Sequence, residues 1–337
     1  MTFIQNAKPA AFGFSPAVTM RAGAPDTATD GETLVLRDAA TDALHRLPAQ
    51  NAGARQAFRQ LDTYITEEDR AFWYFLKPLG RPSFSCQLLA ELADMQEAVK
   101  RSFSDGRAPF DYAILGSRGQ AVFSLGGDLG FFAEKIRQRD RTALRQYAHA
   151  CVAVVHANHT GIGDNVTTIA MLQGDALGGG FEAALSCDVL IAERQAKFGL
   201  PEVLFNLLPG MGAYSLLSRR VGMLKAEQII LSGRTHTAEE MLALGAIDMV
   251  VDEGDGEQAV RDYIARNRTR QLALSTLLKI RRRVNPVSRE ELLDVTEMWV
   301  DAAMRLSEHD LRRMCRIASA QDRFNARSAN MTQSAAR

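Results

Sequence analysis

The sequence predicts an α/β fold, and two observations carry that expectation. Short apolar, β-prone runs at Phe72–Phe75, Phe110–Leu115, Ala121–Ser124, Val166–Leu172 and Val189–Ala192 alternate with helix-patterned stretches at Gln87–Phe103, about 130–156 and Phe181–Cys187. After about Pro209 the pattern turns helical, apart from one strand at Ile247–Val251.

Taken in order, residues 1 to about 50 are rich in Ala, Thr, Asp, Gly and Pro, with Thr33–Leu36 the one strand-like stretch, and predict a loosely ordered extension. An ordered core follows over 51–235, its texture changing at the aromatic run that starts near Ala71. Thr237-Ala-Glu-Glu240 has capping-box spacing, with a hydroxyl acceptor at the start of a turn and a carboxylate three residues later, so a helix is expected to start there. Beyond Glu257 the sequence predicts three or four amphipathic helices through about Phe324, Leu292, Val295, Met298, Trp299 and Ala302 marking one apolar face. The helical C-terminal region is thus 236–325, followed by a tail at 326–337.

Composition narrows the function. The 337 residues carry 40 Lys+Arg against 40 Asp+Glu, and a net charge of zero supplies no field for a nucleic-acid or anionic-membrane partner. With 46% hydrophobic and 24% charged residues the chain has the proportions of a folded soluble protein. Runs such as Cys151–Val155 and Ile169–Leu172 are far below the roughly 18 residues that cross a bilayer. Met1–Met20 lacks a cationic start followed by an unbroken apolar stretch, so the expected setting is cytoplasmic. Cys86, Cys151, Cys187 and Cys315 are widely spaced without a Cys-x-x-Cys pair, which predicts reduced packing residues and no zinc site.

The segment Leu172 to Asp188 carries the chemistry: an apolar strand runs into Gly178-Gly179-Gly180 and then a short helix. A helix N-terminus presents unpaired N–H groups, and glycine lets a ligand approach that backbone closely. One reading is a tight turn that needs glycine for packing alone. A second is a dinucleotide fingerprint, since Gly178 to Ala183 fits G-x-G-x-x-[GA] after a strand. Against it, the following helix is short for a first crossover and the acidic residue about 20 positions on, Glu202, follows Gly-Leu-Pro and does not end a strand. The missing Gly-Lys-Ser/Thr ending excludes a P-loop. The third reading is an oxyanion hole for a thioester. In Phe123-Ser-Leu-Gly-Gly-Asp-Leu129 another strand ends in glycines before a helix, so a second amide can face the first, and two aligned N–H donors are what an enolate or tetrahedral oxyanion requires.

These segments resemble the crotonase (enoyl-CoA hydratase/isomerase) superfamily over roughly residues 70–325. Phe123–Leu129 is similar to the family's first oxyanion segment, Gly174–Asp188 to its second, and Phe198–Val203 with Leu208–Gly212 to a third block. The resemblance implies a crotonase fold of repeated ββα units with a helical C-terminal region. It also implies an oxyanion hole from the amides of Gly127 and Gly179, and Glu182 and Glu202 as the acid/base carboxylates. Two carboxylates beside one such hole can divide proton work if burial separates their pKa values, whereas either glutamate alone is more often a solvated residue.

The wording at 178–187, 199–205, 209–215 and Trp299–Met304 resembles the diffusible signal factor synthases more narrowly. That likeness implies a cofactor-independent dehydratase and thioesterase that converts a 3-hydroxyacyl thioester, on acyl carrier protein or CoA, to a free cis-2-unsaturated acid used in quorum sensing. The alternatives are an enoyl-CoA hydratase/isomerase of fatty-acid metabolism and a non-catalytic acyl-thioester binding protein. Asn165-Val-Thr-Thr168 stands where hydratases commonly carry Lys-Pro, after a polar insertion at His156–Asp164. The first 50 residues match neither group. By resemblance the chain forms a homotrimer or a hexamer.

An acyl tail needs an apolar tunnel, for which Leu177, Met211 and Trp299 are the candidates, with core packing as the competing role. His156 and His159 are expected in a Gly/Asn-rich loop without a third metal ligand. Ser186 beside Cys187 has neither Gly-x-Ser-x-Gly nor an evident base, so no nucleophile motif is assigned.

Overall fold

The computed structural model describes residues 58–102, 109–119, 121–162 and 166–335, with side chains as far as Gln321. The expected extension at 1–50, with its strand at Thr33–Leu36, lies outside the described residues, as do 163–165 of the polar insertion. Strands β1 (Leu61–Thr66) and β2 (Ala71–Leu76) form an antiparallel hairpin. Helix α1 (Cys86–Arg101) starts where the Ser85 side chain accepts from Leu88 N–H. Strands β3 (Tyr112–Ser117) and β4 (Val122–Ser124) follow.

The helical stretch expected over about 130–156 is divided into two helices. Helix α2 (Leu129–Arg137) is capped by Asp128 and α3 (Arg141–His159) by Asp140, each carboxylate accepting from the N–H three residues on. Between them Arg139 takes φ +58°, and the side-chain acceptor of Asp140 offers the backbone a better start than continuation. His156 and His159 correct a second expectation: they form the last turn of α3 and are not in a loop.

Next come β5 (Thr167–Leu172), β6 (Asp175–Leu177), α4 (Gly179–Leu185), β7 (Val189–Glu193), β8 (Lys197–Gly199) and a 3₁₀ turn at Pro201–Phe205. Helices α5 (Ala213–Val221) and α6 (Met223–Ser232), strand β9 (Thr235–Thr237), α7 (Ala238–Ala243) and β10 (Met249–Val251) complete the α/β part. The capping box forms as expected: the Thr237 hydroxyl takes Glu240 N–H while the Glu240 carboxylate takes Thr237 N–H. Four helices close the chain, α8 (Gly256–Asn267), α9 (Gln271–Val284), α10 (Arg289–Ala303) and α11 (Glu308–Ala335), the last running past the expected end near Phe324. Strands β6, β8 and β9 escaped the sequence reading because three residues are too few to show a period.

The strands form two sheets, β1-β2-β3-β5-β7-β10, parallel from β2 onward, and β4-β6-β8-β9, parallel from β4 to β8. Alternate residues of the larger sheet enter two cores. Phe72, Tyr74, Leu115, Ala170 and Leu172 join the main core, whereas Trp73, Phe75, Ile114, Ile169 and Met171 meet Val260 and Ile264 of α8. Burial on both faces explains why these strands are apolar without alternation. Among the described residues, no helix is long and apolar enough to cross a membrane.

Candidate active site

Two glycine turns, one after β4 and one after β6, meet at a single cavity. In the first, Leu125 N–H donates to the Pro82 carbonyl at 2.7 Å and Phe84 N–H to the Gly126 carbonyl at 2.9 Å, making Gly127 an extra bridge to Phe84. In the second, Gly178 takes φ +51° and donates its N–H to the Gly199 carbonyl at 2.8 Å, tying the turn to β8. The turns abut without room for side chains: a Cβ on Gly126 would lie 2.7 Å from Gly179 N, and one on Gly179 would lie 3.3 Å from Gly127 N. Gly179 opens α4, so its N–H has no intrahelical acceptor. Among the described residues nothing accepts from Gly127 N–H either. Both glycines line the cavity.

Glu182 projects from the first turn of α4 and is 1% exposed. Its Oε1 accepts from Met211 N–H and Ala213 N–H, both at 2.9 Å, which locks the carboxylate against the loop that leads into α5. Burial pushes its pKa up to about 7, and the two N–H donors oppose that rise. Glu202 comes from the 3₁₀ turn after β8. The residue is half-buried, yet its Oε2 is shut off from solvent with no hydrogen-bond partner. Burial, then the charge of Glu182, pushes the Glu202 pKa up to about 8. The less supported carboxyl is therefore the one that keeps its proton more tightly.

The cavity holding both glutamates measures about 730 Å³ including its open mouth, and apart from them its wall is mainly apolar. Met211 and Trp299 line it. Leu177 does not: it lies in β6, half-buried, with its carbonyl turned to the Gly126 turn, because the Gly178 bend carries the chain into the cavity only after it. Trp299 also has a packing role. Its ring meets Phe132 edge-on at 5.2 Å and presses on Gly210, where a Cβ would come 2.2 Å from the indole. Sequence reasoning missed Phe84, Phe132, Tyr147 and Cys151, which line the same space. They belong to ordinary apolar helix stripes or a loop, so no motif marked them.

The dinucleotide reading fits poorly, because α4 has only 7 residues and Glu202 sits in the 3₁₀ turn, not at a strand end.

A family model described as Enoyl-CoA hydratase/isomerase matches residues 78–308, more than half of the chain. Among curated proteins, a probable enoyl-CoA hydratase of Mycobacterium bovis is 50% identical over 88 residues, which make up 26% of this chain and 34% of that protein. The peroxisomal bifunctional enzyme of Homo sapiens is 35% identical over 170 residues, 50% of this chain and 21% of that enzyme. The chain thus spans about a third or less of the length of the curated relatives it matches. Among solved structures, an enoyl-CoA hydratase from Bacillus halodurans shares the fold with a TM-score of 0.64 at 24% identity, covering 76% of this chain and 98% of that one. DspI of Pseudomonas aeruginosa has a TM-score of 0.58 at 27% identity, covering 74% and 98%. On that match, carried by a crotonase fold, the chain belongs to the enoyl-CoA hydratase/isomerase family.

Proposed function

We propose that the protein is an acid/base lyase acting at C2–C3 of an acyl thioester. In the finer reading it dehydrates a 3-hydroxyacyl thioester and then releases the cis-2-unsaturated acid. One observation carries the proposal: Glu182 and Glu202 share a mainly apolar cavity with the closely adjoining backbones of Gly127 and Gly179.

In this reading the thioester oxygen takes the two amides. Glu182, whose Oε1 is supported by two N–H donors, is the ionised partner near neutral pH and removes the C2 proton. Electron density moves onto the thioester oxygen as the enolate forms, where the amides stabilise it; losing one such donor typically costs about 3–4 kcal/mol. Glu202, the more tightly protonated carboxyl, delivers its proton to the C3 hydroxyl, which leaves as water. Hydrolysis then uses the same oxygen position: water adds to the carbonyl, the tetrahedral oxyanion occupies the amides, and the thiol departs with a proton. Met211 and Trp299 are proposed to hold the acyl tail.

Two features favour the finer reading: the resemblance of residues 178–187, 199–205 and 209–215 to the signal factor synthases, and Asn165-Val-Thr-Thr168 where hydratases commonly carry Lys-Pro. The sequence matches to proteins named enoyl-CoA hydratase favour plain reversible hydration of a CoA thioester as the second reading. The pairing of Glu182 and Glu202 in one mainly apolar cavity favours catalysis over acyl-thioester binding alone.

The test is mass spectrometry of products from 3-hydroxydodecanoyl thioester loaded separately on acyl carrier protein and on CoA. Free cis-2-dodecenoic acid is expected, formed faster from the carrier protein. Reversible hydration of trans-2-enoyl-CoA without acid release would replace the finer reading with the second. No turnover of either thioester would overturn both.

A further inference from the structure

Tyr147 lies in α3, is 3% exposed and lines the cavity beside Gly127, yet neither proposed chemical step uses it. Its hydroxyl is committed to backbone on two sides. It donates to the Phe84 carbonyl, and it accepts from Asp128 N–H at 3.3 Å. These are the two groups that face each other on one side of the Phe84–Gly127 bridge, the other side being closed by Phe84 N–H on the Gly126 carbonyl.

The consequence follows from peptide planarity. In a trans peptide the carbonyl of one residue and the N–H of the next point in opposite directions. Phe84 N–H draws the Gly126 carbonyl toward α1, so the Gly127 N–H points away from it. Tyr147 holds the next peptide through Asp128 N–H, so neither plane flanking the Gly127 Cα can rotate freely. The ring is itself held, edge-on to Phe132 at 5.0 Å and stacked on Phe131 at 5.3 Å. Gly127 has no side chain to define its own orientation, and a Cβ there would lie 2.7 Å from Phe132. The turn must take its geometry from its neighbours.

We infer that Tyr147 is a positioning residue that aims the Gly127 amide into the cavity by clamping Phe84 and Asp128 across the bridge. The inference rests on the proposed role of that amide in binding the thioester oxygen. Asp128 has a second duty that the same clamp protects: its carboxylate caps α2 through Phe131 N–H at 3.0 Å.

The experiment compares wild type with Tyr147→Phe, which keeps the ring and removes the hydroxyl. The ligand is a ketone analogue of dodecanoyl pantetheine, with CH₂ in place of sulfur and ¹³C at the carbonyl. Isotope-edited infrared spectroscopy reads the polarisation of that carbonyl, and steady-state kinetics on the carrier-protein thioester give kcat and KM. In wild type the bound carbonyl is expected to shift to lower frequency. In Y147F at least half of that shift is expected to vanish, with kcat down about tenfold and KM within about twofold, because only the oxyanion contact is misaligned. Unfolded protein binds no analogue, so once the free-analogue spectrum is subtracted the remaining band reports the folded fraction and a partly unfolded variant still gives an answer. An unchanged band and kcat in Y147F would overturn the role of Tyr147. Absence of any shift in wild type would instead overturn the proposed role of the Gly127 amide.

Discussion

Gly178 lies directly against the carboxylate of Glu202, so close that a Cβ would stand 2.5 Å from Oε1. At φ +51° the same residue also holds a conformation that side chains rarely adopt. Backbone strain and displacement of a buried carboxyl thus fall on one position. Gly178→Ala is expected to fold with a lowered Tm and to lose on the order of 10²-fold in kcat, the cost of a reacting group moved by about 1 Å. Activity within twofold of wild type would show that Glu202 need not sit where it does.

Glu182→Gln and Glu202→Gln each keep shape and remove proton transfer. Each is expected to lower kcat by about 10²–10⁴-fold while circular dichroism stays that of wild type. A double variant that retained full turnover would remove both residues from the mechanism.

The pH profile follows from the raised values of about 7 and about 8 for the two carboxyls. In the proposed mechanism turnover needs one proton on the pair, so kcat/KM is expected to rise as pH passes about 7 and to fall above about 8, the two limbs belonging to the coupled pair. A profile flat from pH 5 to 9 would contradict the assignment.

Stability carries the same signature with its own sign. Both carboxyls bind protons more tightly folded than unfolded, so their contribution is complete below the ordinary carboxylate range and is lost as pH rises through about 7 and 8. Glu202→Gln abolishes one of these titrations. Its Tm is expected to fall less than that of wild type between pH 5 and pH 9, as differential scanning calorimetry would record.

Asn158 joins four elements beneath the site. Its Oδ1 accepts from Tyr74 Oη at 3.2 Å and Gln96 Nε2 at 2.9 Å, and its Nδ2 donates to Ser186 Oγ at 3.2 Å just past α4. In Asn158→Ala the Tyr74 hydroxyl loses its acceptor while Gln96 keeps the Val154 carbonyl. A loss of about 1–3 kcal/mol is expected in urea denaturation, the cost of a buried unsatisfied group.

Several features were legible because they are local. An apolar run without alternation, as in Ala71–Leu76, announces a strand covered on both faces, and Thr237 with Glu240 announces a cap. Gly126, Gly127, Gly178 and Gly179 stand out for the same reason: strands that end in glycine before a helix leave backbone N–H groups open within a few residues of chain. Breaks were harder. Gln138–Asp140 divides a stretch of helical composition because Asp140 caps better than it continues, a competition of small local energies that the apolar pattern does not register.

The sequence by itself determined the α/β fold class and the positions of the two glycine turns, since each depends on residue types within one short segment, and its resemblance to a known family singled out the two glutamates. Only the tertiary structure decided that the turns face each other, that Glu182 is held by Met211 and Ala213 while Oε2 of Glu202 has no partner, that Leu177 stays out of the cavity, and that Tyr147 clamps the Gly127 turn. Those facts join residues 19 to 63 positions apart along the chain, such as Tyr147 with Asp128 and with Phe84. Contacts of that kind are set by how sheets and helices pack, and packing is a property of the whole fold.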